Sequence, residues 1–314
     1  MTAQRVAFVH VDLDDLWAIG ACYGVSVPEE LAAHVYRDAI PRLSALFDQA
    51  GVPATFFVVG RDAADAGRAA MLRGLRDAGH ALANHSWEHN LNYRRLSEEE
   101  LERDVARTER AMQENLGVTP RGFRAPGYGA SPALLRVLAR RGYAYDSSIM
   151  PGPWGWVFRA LDRRMQRATG NAGSMGTAKS QYSRWGEAFG PLAPYAVDVD
   201  HPQKRRAGSP LLEIPAATAP LLRLPFQAGV CMRLGETYFR ALLKSFALKP
   251  AMPILLLFHG ADLTDFSSVN LPFFRQTGFF NTPIAQREKL TQTFLKALTQ
   301  AGEVTTTESW LEGR

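Results

Sequence analysis

Two histidines, His85 and His89, lie four residues apart in His85-Ser86-Trp87-Glu88-His89, directly after a short apolar run. Far upstream, another apolar run ends in three carboxylates, Asp12, Asp14 and Asp15. Neutral imidazoles bind divalent metals through ring lone pairs. Two of them with one carboxylate make a three-ligand set that leaves a coordination position open to water. Arg124-Ala125-Pro126-Gly127-Tyr128 and His259 each follow an apolar run as well. A guanidinium can hold an acid in its charged form, and an imidazole can pass a proton near neutral pH. The chemistry this combination suggests is hydrolysis, by a water activated next to a metal, with a base and an acid alongside.

Competing motifs fall away on spacing. His85-Ser86-Trp87-Glu88-His89 is not the HExxH pattern, because its glutamate occupies the wrong slot. Gly127-Tyr128-Gly129 lacks the third glycine of a dinucleotide loop, and there is no GxSxG elbow or phosphate-binding Walker loop. His10, His34, His80 and His201 lack partners at ligand spacing and are expected to be structural or surface residues.

The elements that must position these residues alternate between strand-like and helix-like, the pattern of a parallel sheet wrapped by helices. Strands are expected at 6–11, 53–59, 80–83, 122–125, 143–145, 211–214 and 253–258. Helices are expected at 29–50, bent or interrupted by Pro41, and at 62–78, closed by Gly79. A further helix runs from the Ser97 cap and its acidic first turn to about 116. Ser131 and Pro132 open the next, and others are expected at 235–248 and 284–301. Strand ends meet around one mouth in a parallel barrel, so residues remote in sequence would converge there. The rhythm breaks at 151–209, a stretch rich in Gly, Pro, Trp and Arg and too long for a simple connection.

The chain has 314 residues, 46% hydrophobic and 21% charged, ample for one large core. A formal charge of +5 fits an anionic substrate or membrane surface, but the basic residues are too dispersed for a nucleic-acid binder. Cys22 and Cys231 are the only cysteines, without CxxC spacing, which argues against a disulfide framework or thiolate zinc site and fits a reducing cytoplasm. The start has no signal-peptide pattern, and no apolar run reaches the roughly 18 to 20 residues of a spanning helix. The expectation is a cytoplasmic protein, peripheral at most to the inner membrane.

In order and placement these motifs resemble the polysaccharide deacetylase family, carbohydrate esterase family four with the nodulation-protein-B homology domain. The segments that carry the resemblance are Asp12-Leu13-Asp14-Asp15, His85 to His89, Arg124-Ala125-Pro126 and Leu257-Phe258-His259, within about 5–150 and 211–310. The resemblance implies an α/β fold, a distorted (β/α) barrel of seven or eight parallel strands in one domain over 1–314, with 151–209 as an insertion. It implies metal-dependent removal of an N-acyl group from an amino sugar, with Zn as the expected metal and Co, Ni or Fe also suited. In the family's commonest form the two aspartates are adjacent, which would make Asp14 the base and Asp15 the ligand. A D-x-D subgroup is closer to Val11-Asp12-Leu13-Asp14, and strand alternation puts Asp12 and Asp14 on one face. The assignment chosen is Asp12 as base with Asp14, His85 and His89 as metal ligands. Asp15 then supports the site from behind or starts a helix.

By the same resemblance Arg124 holds the base, and a backbone N–H near Gly127 or Tyr128 faces the oxyanion. His259, protonated, gives a proton to the departing amine. Asp146 either orients His259 or caps Ser147 or Ser148. Ile214-Pro215 and His259-Gly260-Ala261-Asp262 are also similar to the lipid-linked aminoarabinose deformylases of this broad family.

Within the insertion, Trp154, Val157, Phe158, Leu161 and Met165 recur at helical spacing opposite Arg159, Asp162, Arg163, Gln166 and Arg167. Such a helix suits an anionic interface or a lid packed on the barrel. Apolar stretches at 219–226 and 271–280 are either core or an extension of that surface. The expected substrate is an N-acetyl or N-formyl amino sugar in a lipid-linked or cell-envelope saccharide. The alternatives are a deacetylase of peptidoglycan-type or soluble oligosaccharides, and a glycan-binding relative without turnover.

Overall fold

β1 (Val6–Leu13) is buried along nearly its whole length, as a strand covered on both faces must be. The structure, a computed structural model, describes residues 5–314 except 23, 156, 158, 159, 161–184, 270 and 272–281. Around β1 lie β2 (Thr55–Val58), β3 (Ala81–Asn84), β4 (Gly122–Phe123) and β5 (Tyr145–Asp146). After them in the chain come β6 (Tyr195–Asp198), β7 (His201–Arg205), β8 (Leu212–Glu213), β9 (Ile254–His259) and β10 (Glu303–Val304). The strands run β9-β1-β2-β3-β4-β5-β8, each pair parallel. β10 adds a short parallel pairing to the start of β1. The fold is a curled α/β sheet of mostly parallel strands, a partial barrel. Among the described residues β8 and β9 do not pair with each other, and an isolated bridge joins Gln227 to Leu257 of β9.

The major helices are α1 (His34–Ala50), α2 (Ala66–Asp77), α3 (Glu98–Leu116), α4 (Pro132–Arg140), α5 (Glu236–Ser245) and α6 (Ile284–Ala301). Local signals set their ends. Ser97 and Glu100 form a reciprocal capping box at α3, and Asp65 and Ser131 cap α2 and α4. The expected helix at 29–50 divides at Ala33, into Glu29–Ala32 and α1, while Pro41 lies inside α1. Pro41 is on the exposed side, where water can satisfy the carbonyl freed one turn earlier. Val35, Tyr36, Ala39, Leu43 and Phe47 hold the opposite side in the core.

The stretch 151–209 is more than a connection. β6 and β7 form an antiparallel hairpin, and β6 pairs antiparallel with β8, so this part of the insertion extends the sheet. The amphipathic pattern at 154–167 and the apolar stretch at 271–280 lie largely outside the described residues. Of the stretch at 219–226, Ala219 and Phe226 are core, and Leu221 and Leu222 are exposed.

A candidate metal centre beside an arginine-held aspartate

Asp12 ends the run of β1 that pairs with both neighbours, opposite Phe57 of β2 and His259 of β9. Asp14 comes two residues later. One of its oxygens, Oδ1, lies 3.4 Å from His85 Nε2 and 3.2 Å from His89 Nε2. The ligand atoms of Asp14, His85 and His89 all lie within 4.8 Å of one another, the one such cluster among the described residues. Asp14 Oδ1 is buried and makes no hydrogen bond. A buried carboxylate oxygen without a donor, between two imidazole nitrogens, is costly unless a cation completes it. The donor set therefore fits a divalent metal: two neutral imidazoles and one carboxylate.

Each histidine is aimed by its other ring nitrogen. His85 Nδ1 is 2.7 Å from the Arg124 carbonyl, which fixes Nδ1 as donor and leaves the Nε2 lone pair facing Asp14. His89 Nδ1 lies 3.4 Å from the buried Cys22 thiol. The loop between them is tightly bent, with Ser86 and His89 at φ of 66° and 52°. Ser86 Oγ accepts the His89 N–H, and Asn84 Oδ1 accepts the Ser86 N–H. Gly60 and Arg61 donate to the Ser86 and Trp87 carbonyls, and a Cβ on Gly60 would strike Thr108 and Trp87. Backbone strain held by so many bonds is common where a loop must aim ligands.

The electrostatics of the three ligands differ. Burial opposes charge on Asp14, yet the two histidines hold it well below the usual carboxylate range. Burial takes His89 down to about 4, so this ring is neutral near pH 7. Burial also opposes charge on His85, but its contact with Asp14 and the charge of Asp12 raise it overall. His85 therefore holds a proton more readily than a free imidazole, and a bound metal would compete with that proton.

Behind the cluster lies Arg124, fully buried. Its Nη1 donates to Asp12 Oδ1 at 2.6 Å, its Nε to the Ser147 carbonyl at 3.0 Å, and its Nη2 to Ser147 Oγ at 2.8 Å. Nη2 also donates to His10 Nδ1 at 2.7 Å, and the guanidinium lies 4.0 Å from the Phe57 ring centre. An arginine at His10 Nδ1 forces that nitrogen to accept, so Nε2–H donates to Thr307 at 2.8 Å. Burial first, and Arg124 second, push the His10 pKa far down. His10, read from spacing as a structural or surface residue, thus helps orient the arginine. Its position two residues before Asp12, on the same strand face, was the available signal.

His259 Nε2 lies 3.8 Å from Asp12 Oδ2, too far for a hydrogen bond, so both can turn to a third group placed beside them. The His259 ring accepts the Asp262 N–H, while the Asp262 carboxylate accepts the His259 N–H at 2.9 Å. Accepting that backbone N–H fixes the orientation of the ring, with Nε2 toward Asp12. Arg287 of α6 fixes this turn through the Asp262 and Thr264 carbonyls, both at 2.8 Å. Asp262 belonged to a quoted motif but not to the expected site; its position three residues after His259 was the signal.

The remaining expected residues lie further back. Asp15 accepts the N–H groups of Leu16 and Val35 and pairs with Arg68 at 2.7 Å. It starts a short helix, away from the histidines. The Asp146 carboxylate accepts from Ser148 Oγ at 2.5 Å, and Ser148 Oγ accepts the Ala125 N–H. Of the two roles read for Asp146, the structure shows a contact with Ser148. Gly127 and Tyr128 both sit near φ 58°, and the Tyr128 N–H donates to the Ala125 carbonyl at 3.1 Å. That N–H is engaged in the turn, so it faces an oxyanion only if it shares or exchanges this bond. Gln227 Nε2 donates to the Tyr128 hydroxyl at 3.0 Å.

An α/β protein whose parallel strands end in an Asp-His-His cluster, with an arginine-held aspartate beside it, is the class that fold and site define. Residues 32–145 match the sequence model of the polysaccharide deacetylase family. The matched span contains His85, His89 and Arg124; Asp12, Asp14 and His259 lie outside it. The chain is 26% identical over 154 residues to a peptidoglycan deacetylase of Helicobacter pylori, a match covering 48% of this chain and 51% of that protein. It therefore spans about half the length of this curated relative.

Among solved structures, a Mycobacterium smegmatis protein provisionally described as a polysaccharide deacetylase superposes with TM-score 0.62 at 18% identity, covering 99% of this chain and 90% of the other. The allantoinase Puue superposes with TM-score 0.57 at 17% identity, covering 98% and 89%. These two share the fold under different named activities, so the site must decide the chemistry.

Proposed function

We propose that the protein is a metal-dependent N-deacylase that removes an acetyl or formyl group from an amino sugar in a lipid-linked or cell-envelope saccharide. The observation that carries this reading is the Asp14, His85 and His89 cluster, with Asp12 held by Arg124 on one side and His259 across a 3.8 Å gap. A divalent cation held by those three ligands would supply Lewis-acid chemistry, polarising the acyl carbonyl and acidifying water. Asp12 takes the proton of the attacking water, and the guanidinium of Arg124 keeps it charged and aimed. As the C–N bond breaks, His259, entering the step as imidazolium, delivers a proton from Nε2 to the sugar nitrogen, which otherwise leaves poorly, and is left as a neutral imidazole. The Asp262 turn keeps that Nε2 pointed at the gap. The family match and the peptidoglycan deacetylase similarity support a carbohydrate amide as the bond cleaved.

Product mass spectrometry across N-acetyl and N-formyl amino-sugar conjugates, soluble and lipid-linked, tests this. The expected result is loss of one acyl mass from at least one class. Unchanged masses for every conjugate, from protein shown to carry one metal per chain, would overturn it.

A further inference from the structure

Residues 218–225 form a closed loop on the rim of the site. It leaves the sheet after Glu213 of β8 and returns at Gln227, which bonds the Tyr128 hydroxyl. Its base is tied by the Thr218–Pro225 bridge and by Phe226 N–H to the Ala217 carbonyl, and its turn by Ala219 N–H to the Leu224 carbonyl. At the tip, Leu221 and Leu222 are 45% and 66% exposed.

Single exposed leucines are ordinary. The backbone at this tip is unusual: Leu222 and Arg223 both adopt left-handed conformations, φ 54° and 51°, which large side chains rarely occupy. The tip is also pinned. Arg223 donates to the carbonyls of Pro151, Ala188 and Gly190, and Trp154 Nε1 donates to the Leu222 carbonyl. Beside Arg223 stands Phe189, 66% exposed, with its ring centre 6.0 Å from the guanidinium carbon. Arg223 thus brings the exposed Phe189 to the same loop that carries Leu221 and Leu222.

Positive charge adjoins it. Gly190 packs against Gln203 of β7, and the next residues, Lys204, Arg205 and Arg206, are all exposed. Among the described residues none of the three forms an ion pair. Of the acids nearby, Glu187 pairs with Arg94 and Asp200 with Arg136, while Asp198 accepts the Asp200 N–H, contacts His201 and also feels the charge of Arg206. Protruding apolar side chains flanked by exposed cations are what an anionic membrane surface attracts, the first by burial among acyl chains and the second by headgroup charge.

We propose that Phe189, Leu221 and Leu222, with Lys204, Arg205 and Arg206, seat the mouth of the site on an anionic lipid bilayer. This deepens the proposed function, since a substrate carried by a lipid is met at that surface. Docking is nevertheless measured without any substrate, so the two ideas fail separately.

The experiment is sedimentation of the full chain with vesicles of phosphatidylcholine containing phosphatidylglycerol, at low and at physiological salt. Two variants accompany it, Leu222→Asn, which suits a left-handed backbone, and the triple Lys204→Glu, Arg205→Glu, Arg206→Glu. Binding to the anionic vesicles is expected, weakened by salt and lost about tenfold or more in each variant. Thermal midpoints should match the parent, showing that folding is retained. No sedimentation at low salt, or binding that neither variant weakens, would overturn the proposal. So would a dimer that Leu222→Asn dissociates while vesicles remain unbound, which would make the rim a contact between copies.

Discussion

At Asp12 and Asp14 the site divides its labour between two carboxylates of one strand end. Asp14 faces the two imidazoles, and Asp12 faces the guanidinium of Arg124 and the gap to His259. The two roles predict different failures. His85→Ala should lose bound metal and turnover together. Asp12→Asn should retain metal, because its amide touches none of the ligands, and lose turnover by roughly 10²- to 10⁴-fold, the range of a general base. The asparagine oxygen can still accept from Arg124, so the variant should fold. Metal content by elemental analysis, read beside kcat, separates the cases. Metal loss in Asp12→Asn with retained turnover in His85→Ala would reverse the assignment. The histidine pair, the arginine and the acids were legible in sequence because each follows an apolar run. His10, Ser147 and Asp262 were not, since their parts depend on which side chains meet across strands far apart in the chain.

Strands and helices were legible where burial imposes a pattern. β1, β2 and β9 are dominated by buried apolar residues, and α3 announces its start with a serine and three glutamates. The β6–β7 hairpin was not, because His201-Pro202-Gln203-Lys204-Arg205 is a polar, half-exposed edge with a proline. The carboxyl pair formed by Asp146 of β5 and Glu213 of β8 was hidden too, since it exists only through the register that sets them opposite each other. Both are fully buried, and Asp146 Oδ2 and Glu213 Oε2 have no N–H or O–H donor among the described residues. A proton shared between them satisfies both. Burial pushes Asp146 up to about 6 and raises Glu213 well above its ordinary value.

Both folded values exceed the unfolded ones, so the stability linked to this proton is complete below about pH 4 and is lost as pH rises through 6. Glu213→Gln brings its own N–H donor, and its oxygen can still accept the Ile149 N–H. Thermal midpoints should therefore fall by a few degrees from pH 5 to pH 8 in the parent and by less in Glu213→Gln. An equal fall in both would show that the pair does not share a proton.

For the molecule as a whole, the ligand cluster joins the end of β1 to the loop after β3, with β2 lying between them in the sheet. A metal there binds only when the sheet is folded, so metal binding and global stability are linked. At free Zn²⁺ a thousandfold above its dissociation constant, the folded state gains about 4 kcal/mol. For a chain of this size that corresponds to roughly 5 to 15 °C in the thermal midpoint. The imidazoles must be unprotonated to coordinate, and His85 is the ring whose affinity for a proton is raised. Acid therefore competes with the metal, and the Zn²⁺-induced rise should be larger at pH 8 than at pH 6. His85→Ala should abolish most of the rise at both values, whereas Asp15→Asn should leave its pH trend intact, because Asp15 pairs with Arg68 away from the cluster. Calorimetry with and without a chelator measures all three. A rise that survives in His85→Ala, or that grows toward acid pH, would place the metal somewhere other than between Asp14, His85 and His89.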